Sequence, residues 1–78
     1  MDEKEFIKEL SNLLFIYRKT NNITLAKLSN LVGIESKFLN RLEHGKHDTL
    51  VSNYFKIAKN LNIPIEEISR IIALYFRQ

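Results

Sequence analysis

Residues 24–46 read TLAKLSNLVGIESKFLNRLEHGK, and the two glycines in that stretch, the only two in the chain, decide the fold. Each follows a short run with apolar residues at helical spacing: Leu25, Leu28 and Val32 before Gly33, then Leu39 and Leu42 before Gly45. Glycine takes positive φ without steric cost, so at both places it stands as the residue that stops a helix. Thr24 is a good N-cap for the first run, and Glu35 or Ser36 opens the second. The stretch predicts a short helix from residue 24 to Gly33, a tight turn, and a second helix over residues 36–44.

Helical patterns continue on both sides. Asp2 followed by Glu5 has capping-box spacing, and Phe6, Leu10, Leu13, Leu14 and Tyr17 form one apolar stripe, which predicts a first helix over residues 3–20. Asn21-Asn22 then supplies turn chemistry, because asparagine tolerates left-handed backbone. Beyond Gly45, Lys46-His47-Asp48-Thr49 is a polar loop, and Val51, Tyr54, Phe55, Ala58 and Leu61 predict a fourth helix over residues 50–61 with those side chains inward. Asn62-Ile63-Pro64 breaks the chain again. Proline near a helix start and the acidic pair Glu66-Glu67 in its first turn predict a fifth helix over residues 65–77. No strand pattern, repeat or linker interrupts this order, so the expected fold is all-α: five helices in a single domain over residues 1–78.

Composition narrows the function. A chain of 78 residues has room for one modest core, and 45% hydrophobic with 27% charged residues is ordinary globular composition. Without cysteine there is neither a disulfide framework nor a thiolate metal site. The acidic N-terminus lacks an apolar signal core, and no run approaches the roughly 18 apolar residues of a membrane span. The expected location is therefore cytoplasmic, with no membrane partner. His44, His47 and Asp48 straddle a helix end with too few ligands around them for a metal site, and no nucleophile–base–orienter spacing or glycine-rich phosphate loop is present. No metal, cofactor, small-molecule ligand or enzymatic activity is expected. The net charge of +3 is concentrated in the middle: residues 18–59 carry eight basic residues (Arg18, Lys19, Lys27, Lys37, Arg41, Lys46, Lys56, Lys59) against Glu35, Glu43 and Asp48.

Two short helices joined by a glycine turn, the second ending at another glycine, form the pattern of a helix-turn-helix. Close crossing of the helices needs a small residue four before the turn glycine, and Ser29 is there; a buried aliphatic must anchor the second helix six after it, and Leu39 is there. These residues resemble the lambda-repressor/Cro type of helix-turn-helix regulator, the XRE family. The resemblance runs from about Leu10 to Ile68 and is carried by Thr24 to Ile34, by Phe38 to Lys46 and by Ile57 to Ile63, with the thirteen-residue step from Gly45 to Ala58 also fitting. One departure concerns Leu25, where the family often has a glutamine that contacts phosphate or orients a base-reading neighbour.

The resemblance implies a transcriptional regulator that binds double-stranded DNA, of the compact length found in phage, plasmid or restriction–modification controllers, and hence bacterial or phage-encoded. With Leu39 and Leu42 inward, Ser36, Lys37, Asn40 and Arg41 face outward, and the family narrows the base readers to Ser36, Lys37, Phe38 and Arg41. Arg41 and Lys37 suit guanine O6 and N7; Phe38 is either a thymine-methyl contact or a packing residue, and Glu35 either selects cytosine or repels phosphate. Phosphate contacts fall to Thr24, Lys27, His44 and Lys46, helped by backbone amides near Gly45. The family further implies an internal ion pair between Arg18 and Glu43. Helix five carries more apolar surface than one chain needs, so Ile68, Ile71, Ile72, Tyr75 and Phe76 are expected as a homodimer contact that sets two recognition helices on a palindromic operator. The competing expectation is a protein-binding module on the same scaffold, antitoxin-like or anti-repressor, to which Leu25 points.

Overall fold

The computed structural model describes residues 1–46 and 49–77; the loop reading at His47 and Asp48, with their weighed metal role, lies outside the described residues. Five helices follow in order: α1 (Glu3–Thr20), α2 (Leu25–Val32), α3 (Ser36–Glu43), α4 (Val51–Asn60) and α5 (Ile65–Phe76). Asp2 starts α1 by accepting the Glu5 amide at 2.8 Å, and Thr24 Oγ1 starts α2 by accepting that of Lys27 at 3.1 Å. Three connections share one form: a residue at positive φ, an isoleucine turned back toward the core, and the cap of the next helix. Asn22-Ile23-Thr24, Gly33-Ile34-Glu35 and Asn62-Ile63-Pro64 are these turns. At the first and last, the isoleucine amide bonds the carbonyl five residues back (Arg18, Ala58) and the asparagine amide the one three back (Lys19, Lys59), which consumes the free carbonyls of α1 and α4.

The helices close around one core, with α1 packed on α3 and α5, and α2 on α3 and α4. Leu14, Leu28, Val32, Leu39, Ile57 and Leu61 are its most deeply buried side chains, and Leu13, Leu42, Tyr54, Ala58, Ile63, Ile68 and Ile71 complete it. Burying such an aliphatic side chain contributes about 1.5–3 kcal/mol, so this set is the main force holding α3 against the rest. Tyr54 donates its hydroxyl to the Leu10 carbonyl at 2.8 Å, and burial pushes its pKa up, which keeps that oxygen a donor. Asn21 Nδ2 donates to the carbonyls of Tyr17, at 2.7 Å, and Leu61, at 3.3 Å, tying the ends of α1 and α4.

Two expectations are corrected in this packing. On α4, Val51 and Phe55 are exposed rather than inward, and the buried stripe is Tyr54, Ile57, Ala58 and Leu61. The stripe's centre follows Ile57, so Phe55 falls a helical step to one side, and Val51 stands on that same side one turn earlier. On α5, Ile68 and Ile71 are 3% exposed within the chain's own core and have no surface to offer a second copy. Tyr75 is half-buried, stacked on Phe6 with ring centroids 4.2 Å apart and 14° between planes. Among the described residues no helix is long and apolar enough to cross a membrane.

Candidate nucleic-acid interface

Recognition by a helix requires that it be held rigidly from behind while its outer side chains stay free to meet the ligand. Leu39 and Leu42 hold α3 to the core. Behind its C-terminal end lies a second fastening, in which Arg18 Nε and Nη2 grip the two carboxylate oxygens of Glu43, the latter at 3.0 Å, while Nη1 donates to the Ile23 carbonyl at 2.7 Å. The side chains are only 10% and 4% exposed, and the guanidinium also lies 5.7 Å from the Phe15 ring centroid. One arginine thus joins α1, the α1–α2 turn and the end of α3. The Ile23 carbonyl has no sequence signature as its third partner, because any residue at that turn supplies one.

Gly45 ends α3 against α1. Its φ is +68°, and a Cβ there would lie 3.8 Å from Lys8 Cα and 3.9 Å from Ser11 Oγ, ordinary contact distances, so the glycine is required for its backbone conformation rather than for space. Around it the amides are all engaged: His44 N–H bonds the carbonyls of Asn40 and Arg41, Gly45 that of Leu42 and Lys46 that of Arg41. Of the backbone amides near Gly45 expected to help hold a phosphate, those of His44, Gly45 and Lys46 close the helix end instead, and those of residues 47 and 48 lie outside the described residues. At the other corner, the Thr24 cap takes the Lys27 amide, and Leu25 and Ala26 begin α2 with amides directed out of the helix end.

On the outer surface of α3, Lys37 and Arg41 are exposed, Ser36 is half-buried, and Phe38 shows somewhat under half of its area. Glu35 is the N-cap residue, without a side-chain cap bond, and is exposed at the head of the helix. Lys27 and Thr24 on α2 and His44 and Lys46 after α3 are exposed as well. The Thr24 hydroxyl oxygen accepts from Lys27 and keeps its own proton to donate. Leu25, the departure from the family's polar residue, packs against the core, so its identity follows from local burial. His44 Nδ1 sits 2.7 Å from the Asn40 carbonyl, a contact that the sequence reading missed although the two stand four apart at a helix end.

Next to α5, Phe6, Ile7, Val51, Phe55, Tyr75 and Phe76 line an open apolar groove of about 400 Å³. Val51 at 67% and Phe76 at 79% exposure form its rims. Ile72, half-buried, lies deeper in it.

The family model described as Helix-turn-helix matches residues 14–68. A protein of Methanocaldococcus jannaschii named as an uncharacterized HTH-type transcriptional regulator is 34% identical over 59 residues, which cover 76% of this chain and 89% of that protein.

Proposed function

The chain belongs to the XRE-type helix-turn-helix family, and from that premise we propose that it binds double-stranded DNA as a homodimer and regulates transcription. The observation that carries the reading is the outer surface of α3: Lys37 and Arg41 stand exposed on a helix fastened to the core and to Arg18 behind it, with Lys27, His44 and Lys46 at its flanks. In this reading Arg41 and Lys37 donate to guanine, Ser36 and Phe38 meet neighbouring base edges, and Thr24, Lys27, His44 and Lys46 position the backbone. The first amides of α2 add a phosphate contact, which replaces the polar side chain that Leu25 does not supply.

Successive major grooves on one face of a duplex lie roughly 34–36 Å apart, the spacing that the two α3 helices of such a dimer must match. In this reading two copies related by a twofold axis set their α3 helices at that spacing, and a palindromic operator follows from the symmetry. With Ile68 and Ile71 inside the core, the surface offered to the second copy is the groove rim of Val51, Phe55 and Phe76, with Ile72 and Tyr75 at its floor. A DNA-binding regulator of this kind works in the cytoplasm.

The test is selection of bound fragments from the native genome, followed by titration of the recovered duplex. Arg41→Ala is expected to weaken binding of the dimer by roughly 30-fold or more, in line with the loss of one bidentate guanine contact from each chain. Affinity should fall steeply with salt, and Lys46→Gln should lower the slope of log K against log salt by about 2, one phosphate contact for each chain of the dimer. Retention of no fragment would sink the reading in favour of the protein-binding alternative, for which half-exposed Phe38 and Leu31 offer apolar contacts on the same two helices.

A further inference from the structure

The end of α3 has a limited supply of donors for a phosphate. The amides of His44, Gly45 and Lys46 are bonded to the carbonyls of Asn40, Arg41 and Leu42, so among these residues the donors that remain are side chains. His44 is exposed and its Nδ1 lies 2.7 Å from the Asn40 carbonyl oxygen. A carbonyl accepts and never donates, so the proton is on Nδ1. In the neutral ring the other nitrogen, Nε2, then carries a lone pair, which repels a phosphate oxygen instead of binding it. Only the imidazolium has an Nε2–H to give.

We propose that His44 makes DNA binding proton-linked: Asn40 fixes the tautomer, and the contact between Nε2 and a backbone phosphate forms only when each bound chain holds one further proton from solvent. The inference rests on the DNA-binding reading above. Among the described residues, the groups that share the cleft around His44 are Glu5, Lys8, Glu9 and Asn12 of α1 and Glu43 of α3, the last already held by Arg18, with Arg41 and Lys46 on either side along the chain. The net sign of the linkage is fixed by the ring: the complex binds the proton more firmly than the free protein, so affinity rises as pH falls. Phosphodiesters do not titrate in this range, which leaves histidine as the side chain whose ordinary charge change lies there.

The experiment is a fluorescence-anisotropy titration of the full chain on the selected duplex at constant ionic strength, from pH 8 to pH 5.5. Wild-type Kd of the dimer is expected to fall roughly a hundredfold across that interval, about tenfold for the charge-assisted hydrogen bond of each chain. His44→Gln, whose amide can donate at every pH, is expected to lose the dependence, while His47→Gln, changing the chain's other histidine, keeps it. Binding that is flat in pH, or a slope that survives in His44→Gln, overturns the proposal while leaving the DNA reading intact. Failure to bind at any pH overturns both.

Discussion

Arg18 is the residue on which most of the frame converges, since its three donor nitrogens reach Glu43 and the Ile23 carbonyl while its side chain is almost closed to solvent. Removing it leaves a buried carboxylate without a counter-ion, which costs about 3–5 kcal/mol, a large part of what so small a domain has. Arg18→Ala is therefore expected to lie unfolded at 37 °C in a thermal melt followed by circular dichroism, and Arg18→Met with Glu43→Leu to be more stable than either single variant. Recovery in the double variant would show that the single-variant loss comes from the stranded charge. The outward positions Lys37 and Arg41 and the inward anchor Leu39 were legible from spacing alone, because a helix with two glycine stops and two fixed leucines has one remaining face. The partner of His44 was not legible in the same way: it is a carbonyl, and carbonyls carry no residue identity.

Among the elements, α4 and α5 show where periodicity stops being informative. A pattern of apolar residues every three or four positions defines a stripe, but not its width or how far neighbouring helices cover it. Val51 and Phe55 fit the stripe of α4 and lie outside its cover, while Ile68 and Ile71 fit a surface stripe of α5 and lie inside the core. The turns were read more securely because each depends on one backbone angle. Asn62 has φ +57° and Asn22 +55°, a conformation that glycine adopts without cost and a Cβ-bearing residue does not. Asn62→Ala is expected to destabilise the fold by about 1 kcal/mol and Asn62→Gly to leave it unchanged or slightly firmer, measured as urea midpoints at constant m-value. Equal midpoints for the two variants would show that asparagine's side chain, rather than its angle, matters there.

For the whole molecule, the apolar groove beside α5 is lined by Ile72, Tyr75 and Phe76 of the helix-five expectation, together with Val51 and Phe55 of α4 and Phe6 and Ile7 of α1. Within that helix Ile68 and Ile71 are used internally, and the open surface is shared among the start of α1, the start of α4 and the later turns of α5. If this is the homodimer surface, Phe76→Lys with Val51→Lys is expected to move sedimentation equilibrium to a single-chain mass while leaving the melting temperature of the monomer within a few degrees, since exposed substitutions usually change stability by less than about 0.5 kcal/mol. The same variant should bind a half-site weakly and a full site no better than a half-site. A dimer mass that persists would assign the contact elsewhere on the surface.

The frame that fastens α3 consists of Leu39, Leu42, the turn at Gly45 and the Arg18–Glu43 fork, and the side chains of Lys37 and Arg41 belong to none of it. In the proposed reading, in which Lys37 and Arg41 read the bases, stability and target preference are thus encoded at separate positions. Changes at the two outer residues escape the purge that removes destabilised variants, so a lineage built on this frame can drift from one operator to another through intermediates that all remain folded.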